Sequence, residues 1–153
     1  MRILVLSDSH GRKSALEKAV RLHEEARCII FLGDGIGDME NIELLYPEKT
    51  IYKVAGNCDF FCSEPEIGKA EIAGRLLYFT HGHLHGVKGD LEKFKADARA
   101  AGADIALYGH THIPVTEYDD RLYVMNPGSI GARGSYGIID ITPAGIVTYT
   151  AEL

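Results

Sequence analysis

The first ten residues, Met1-Arg2-Ile3-Leu4-Val5-Leu6-Ser7-Asp8-Ser9-His10, carry the pattern that decides the fold. Ile3 to Leu6 is an apolar run too short for a helix and β-branched enough for a strand buried on both faces. At its carboxyl end stand an aspartate and a histidine, side chains that bind metal ions. Similar runs recur at Cys28–Leu32, Ile51–Ala55, Leu76–Phe79 and Ile105–Tyr108, and each leads into a cluster of the same kind. In order these clusters are Gly33-Asp34-Gly35, Gly56-Asn57-Cys58-Asp59, Thr80-His81-Gly82-His83 and Gly109-His110-Thr111-His112.

Between the strands lie helical patterns. Ala15, Leu16, Ala19, Val20, Leu22, His23 and Ala26 trace a broad helical face, so the chain begins strand, helix, strand. A shorter helix is expected after Asp38, with Met39, Ile42 and Leu45 on one side and Pro47 stopping it. In the third, Asp90 can cap the start, Leu91, Phe94, Ala98 and Ala101 recur at helical spacing, and Gly102 suits a left-handed exit. After Ile113 the pattern becomes Val115–Tyr118, Leu122–Asn126, Tyr136–Ile141 and Ile146–Thr150, short alternating runs that read as an antiparallel meander. The expectation is a parallel α/β part succeeded by hairpins, giving two sheets that pack face to face.

At 153 residues the chain fits one domain, 1–153, on a rule of roughly 150 residues each. Such a length buries roughly 70% of the unfolded surface, so neither disulfides nor a structural metal is needed for a core. The formal charge of −6 is the wrong sign for a broad basic face gripping nucleic acid. It does not exclude a small phosphate ester held at one place. Cys28, Cys58 and Cys62 are an odd number without paired zinc-type spacing, and no leader pattern precedes them, which points to a reducing cytoplasm. The longest apolar run, Cys28–Leu32, falls far short of the roughly 20 residues that span a bilayer, so no membrane partner is expected.

In α/β sheets ligands bind outside the carboxyl ends of the strands, where loops converge. Residues at i and i+2 on an extended backbone point to one side, so Asp8 with His10, and His110 with His112, are expected to face one pocket. Of seven histidines, six lie in these loops, and His23 alone falls on a helix, as a boundary or partly buried residue. Imidazoles, carboxylates and an amide oxygen without a thiolate cluster favour manganese, iron, cobalt, nickel or zinc in a catalytic setting. Seven candidates exceed one four-coordinate ion and suit two ions sharing a carboxylate.

The ordered set Asp8-Ser9-His10, Gly33-Asp34 with Asp38, Gly56-Asn57-Cys58-Asp59, His81-Gly82 and Gly109-His110-Thr111-His112 resembles the calcineurin-like metallophosphoesterases. Within them it is most similar to the small bacterial and archaeal phosphodiesterases. The resemblance implies a four-layer α-β-β-α sandwich with two mixed sheets and two divalent metal ions, manganese first among the candidates. It assigns Asp8, His10 and His112 to one ion, Asn57, His81 and His110 to the other, and Asp34 to both. The implied reaction is hydrolysis of a small phosphodiester by a hydroxide that bridges the two ions. No side-chain nucleophile is required, so Cys58 is not read as a thiolate attacker.

Many relatives carry histidine at position 58, where with the following acidic residue it protonates the leaving oxygen or steadies the phosphate. Asn57 and Cys58 are therefore the catalytic candidates. Cysteine is a poorer proton donor than histidine and brings no positive charge, which argues for diesters over alkyl monoesters. Asn126-Pro127-Gly128-Ser129 also resembles a family signature, whose Gly and Ser can offer donors to an anion or simply form a turn. Arg133 is the candidate for substrate binding, while His83 and His85 are expected to be solvated loop residues.

The resemblance also supplies an alternative, since the retromer subunit of this fold is a non-catalytic interaction module. A phosphoprotein phosphatase is disfavoured by the short chain and the missing histidine. Substrate-shaping loops are expected around Phe60, Phe61 and Val87–Gly89, and a homodimer is left open.

Overall fold

The computed structural model describes residues 1–153. Ten strands form two five-stranded mixed sheets. In the first, β1 (Arg2–Leu6), β2 (Cys28–Phe31) and β3 (Thr50–Lys53) run parallel, and β9 (Ser135–Thr142) and β10 (Gly145–Glu152) extend it antiparallel in the order β10-β9-β1-β2-β3. In the second, β5 (Arg75–Thr80), β6 (Ile105–Tyr108) and β8 (Leu122–Asn126) are parallel. There β4 (Ile67–Ile72) and β7 (Val115–Asp119) form the antiparallel edges.

Strand alternation splits the apolar residues between two cores. Ile3 and Val5 of β1 and Ile30 of β2 point between the sheets, where they meet Leu77, Phe79, Leu107 and Met125 of the second sheet. Leu4, Leu6, Ile29 and Phe31 point outward and are covered by α1 (Lys13–Leu22) and α2 (Glu40–Leu45). On the far side α3 (Glu92–Ala100) lays Phe94 and Ala98 over Tyr78, Ala106 and Val124. The order is therefore α-β-β-α, as expected. Each fully buried Leu, Ile or Phe contributes roughly 1.5–3 kcal/mol, which fixes the strand register and, with it, which residue emerges at each strand end.

Two expectations about the chain path need correction. The expected continuous meander is two hairpins sent to opposite sheets, with β7–β8 completing the second and β9–β10 the first. The loop Pro127–Gly134 between them crosses from one sheet to the other. Strand β4 was not anticipated, because Ile67-Gly68-Lys69-Ala70-Glu71-Ile72 buries only one side of an edge strand and has few apolar residues to show it. In α2, Ile42 faces the core but Leu45 is exposed. Asp90 does accept a hydrogen bond from the Glu92 amide ahead of α3, and Gly102 adopts φ +77° at its exit.

Candidate metal centre

Each loop at the carboxyl ends of β1, β2 and β6 places its candidate ligands on left-handed backbone. Asp8, His10, Asp34, His110 and His112 have φ between 45° and 67°. The expectation that paired residues converge because the chain is extended is therefore corrected. Asp8 and His10 do share a group of potential ligand atoms, but through a sharply turned backbone. Non-glycine residues in this region cost on the order of 1 kcal/mol each, so the surrounding structure must hold them there.

The potential ligand atoms form three overlapping groups, Asp8–His10–His112, His10–Asp34–Cys58 and Asp34–His81–His110, each with its atoms within 4.8 Å of one another. The last is the most deeply set. His81 is fully buried, and its Nδ1 lies 2.7 Å from the Leu32 carbonyl, a contact that makes Nδ1–H the donor and turns Nε2 toward the cleft. Around that Nε2 stand Asn57 Oδ1 at 3.1 Å, His110 Nδ1 at 3.1 Å and Asp34 Oδ2 at 3.4 Å. One proton on Nε2 can serve one of these three acceptors, whereas a cation serves all of them, so the donor set fits a metal ion.

The outer group is more open. His112 Nε2 approaches Asp8 Oδ1 to 3.0 Å, and His10 Nε2 lies 3.4 Å from His112 Nε2. Asp34 lies between the two sets, with Oδ2 3.4 Å from His81 Nε2 and 3.9 Å from His10 Nε2. Gly56 permits this, since a Cβ there would stand 2.1 Å from Asp34 Oδ1.

The charge balance matches. Burial alone would raise the carboxyl pKa of Asp34, but hydrogen bonds from His81 and the Cys58 amide outweigh it and hold the group well below the usual carboxylate range. Burial opposes charge on His81, yet Asp34 and Asp8 raise its pKa. The proton those carboxylates attract is the charge that a metal ion would replace. His110 moves the other way, pushed down by burial and by the neighbouring His81 and Lys88, toward the neutral form that ligates metals.

The sequence profile of the calcineurin-like phosphoesterase superfamily domain matches residues 1–143. The chain belongs to that superfamily. It is 36% identical over 132 residues to a probable metallophosphoesterase, YsnB, of Bacillus subtilis, covering 85% of this chain and 75% of that one. With phosphodiesterase YfcE of Escherichia coli it shares 29% over 168 residues, covering 92% and 88% respectively. Among solved structures, a Streptococcus pneumoniae protein described as a predicted phosphoesterase superposes with a TM-score of 0.78 at 25% identity, over 98% of this chain and 97% of that one. Zinc-bound Vps29 of Entamoeba histolytica gives 0.76 at 18% identity over 99% and 98%, a likeness of fold.

Several residues brace the candidate ligands from behind, and most were not foreseen. The Asp59 carboxylate accepts backbone N–H bonds from Asp34, Gly35, Ile36 and Gly56 at 2.7–2.9 Å, tying the loops after β2 and β3 together. Its two oxygens are taken up by these four amides. Asp38 accepts from the Ser9 hydroxyl and the Gly11 amide on either side of His10. Asn126 donates from Nδ2 to the Gly109 carbonyl and to Thr111 Oγ1, bracing the backbone beside His110. The Ser129 hydroxyl donates to the Asp8 carbonyl at 2.8 Å, so it is a brace and not a free donor for an anion.

The remaining candidates lie around this centre. Arg133 shares a cleft with Arg12 and Lys18 whose lining contains none of the candidate ligands. His85 is buried, not solvated as expected, with Nε2 3.1 Å from Tyr78 Oη and 3.2 Å from Asp97 Oδ2. His83 is likewise half-buried, its ring 5.5 Å from that of His81. Neither placement shows in the sequence, because the turn His83–His85 folds back between Gly82 and Gly86, both left-handed. His23 sits at the end of α1 against Tyr136, the expected boundary position. Phe60 and Phe61 are exposed on the turn just after Cys58.

Proposed function

We propose that the chain is a metal-dependent phosphodiesterase of small phosphodiesters, with residues 1–153 forming one metallophosphoesterase domain. The observation that carries this reading is the position of Asp34 between two histidine-containing groups of potential ligands. In it, Asp8, His10 and His112 would hold one divalent ion, Asn57, His81 and His110 the other, and Asp34 would serve both. Two such ions supply Lewis acidity toward phosphoryl oxygens and lower the pKa of water to near neutrality. The mixed imidazole, carboxylate and amide set suits manganese, nickel, zinc, iron or cobalt, with manganese placed first on the family resemblance.

The chain's own residues set up the rest. Cys58, exposed beside the candidate ligands, has its thiol pKa pushed up by desolvation and by Asp34 in the metal-free protein, and neither thiol nor thiolate offers positive charge to a doubly charged monoester. A diester, with one charge, or an ester with a good leaving group suits that edge better than an alkyl monoester. Arg133, with Arg12 and Lys18, lines a basic cleft separate from the candidate ligands, and in this reading that charge attracts anionic esters to the protein. The three cysteines are unpaired, in keeping with a cytoplasmic setting. No helix is long and apolar enough to cross a membrane.

The test is metal-stripped protein assayed with a chromogenic aryl phosphodiester and the matching monoester, with manganese, nickel or zinc added back. Metal-dependent diester turnover is expected. Two bound ions without turnover of either ester would leave the alternative, a non-catalytic interaction module, which the Vps29 neighbours support only through the shared fold.

A further inference from the structure

The two-ion reading leaves one donor unused. Cys58 Sγ, a nitrogen of His10 and a carboxylate oxygen of Asp34 form their own group within 4.8 Å, overlapping both sets of ligands. The position of the sulfur is built in. The Cys58 amide donates to Asp34 Oδ1 at 2.8 Å, and Asn57 Nδ2 donates to Sγ at 3.4 Å. The turn that carries it is pinned by the Asp59 carboxylate through the Gly56 amide. The residue is exposed, so an ion reaches it without any opening of the fold.

Thiolate sulfur selects ions differently from oxygen and imidazole nitrogen. It favours zinc over manganese, and an all-oxygen-and-nitrogen set does so less. His10 and Asp34 are also the two residues through which the inner and outer groups connect. An ion drawn onto the sulfur therefore competes for residues that the phosphodiester reaction needs.

We infer that Cys58 is a metal ligand, forming with His10 and Asp34 a thiophilic site for zinc-class ions that competes with the two-ion arrangement. This deepens the proposed function and rests on the same centre. As the metal–sulfur bond forms, the S–H proton leaves to solvent, so binding releases one proton per ion. Zinc then suppresses turnover supported by manganese, and it does so through position 58.

Cobalt(II) reports the sulfur directly, because a thiolate ligand gives a near-ultraviolet charge-transfer band that histidine and carboxylate ligands do not. The full chain, stripped of metal, is titrated with cobalt(II) as wild type, Cys58→Ser and Cys62→Ser. The band is expected in wild type and Cys62→Ser and absent in Cys58→Ser, which still binds cobalt. Zinc affinity is expected to fall about tenfold or more in Cys58→Ser, as on loss of other metal-site interactions, with a smaller change for manganese. Cobalt bound by wild type without the band, or a band surviving Cys58→Ser, overturns the assignment while leaving the two-ion centre intact. Failure of all three proteins to bind cobalt overturns the centre itself, and the thiophilic site with it.

Discussion

The two histidine groups of the cleft differ in how they are held. His81 is fully buried and tied to the Leu32 carbonyl, and Asp34 beside it is tied through both its amide and its carboxylate. His10 and His112 have side chains about 40% exposed, and their ring contacts are chiefly with each other and with Asp8. A ligand held by packing and a second hydrogen bond keeps its orientation without the metal, whereas an exposed imidazole must be ordered when the ion arrives. The inner group is thus preorganised and the outer group is the one expected to exchange its ion.

Asp34→Asn is the largest perturbation of this contrast, since it removes charge from the residue between the groups. We expect turnover to fall on the order of 10³-fold, with metal stoichiometry by mass spectrometry or calorimetry dropping below two. An unchanged stoichiometry would show that the groups bind independently. Asp59→Ala attacks chiefly the inner group, by stranding four backbone amides and freeing the loops after β2 and β3. A loss of about 3 kcal/mol in denaturant unfolding and roughly 10- to 100-fold in metal affinity is expected. Asp59→Asn should recover part of both.

Cys58→His is a smaller change at the rim between the groups. The ratio of monoester to diester hydrolysis is expected to rise about tenfold, because imidazole can donate a proton and carry charge. An unchanged ratio with metal content intact would remove Cys58 from substrate selection. The smallest effect is on acid stability of the metal-free protein. The folded pKa of Asp34 is depressed, so its contribution is fully present above the unfolded value of about 4 and is lost as pH falls through the lower folded one. Metal-free Asp34→Asn should therefore lose about 1 kcal/mol less on acidification, read from urea unfolding at successive pH values.

The parallel core and the order of the ligand loops were legible because each depends on local signals, an apolar run leading into a polar cluster. Asp8, His10, Asp34, Asn57, His81, His110 and His112, which the fold brings to one cleft, could be picked out as candidates that way. Their backbone could not, since nothing about an aspartate or histidine announces a left-handed φ that only the folded loops enforce. Asp59 gave no local sign of its bracing role. Its four amide donors come from segments up to 25 residues away and exist only after folding. His85 was misread for the opposite reason, as a polar loop residue that the fold inserts against Tyr78 and Phe94.

The left-handed ligands have a thermodynamic consequence. Glycine would relax these positions at little cost but would offer no side chain, so the fold keeps strained residues at the edge where the cation docks. An ion that binds only the folded form adds stability in proportion to the logarithm of its concentration over its dissociation constant, about 2.7 kcal/mol at a hundredfold excess. If the proposed centre binds its ions, the melting temperature would become a measure of metal supply, and metal starvation would cost stability together with the proposed activity.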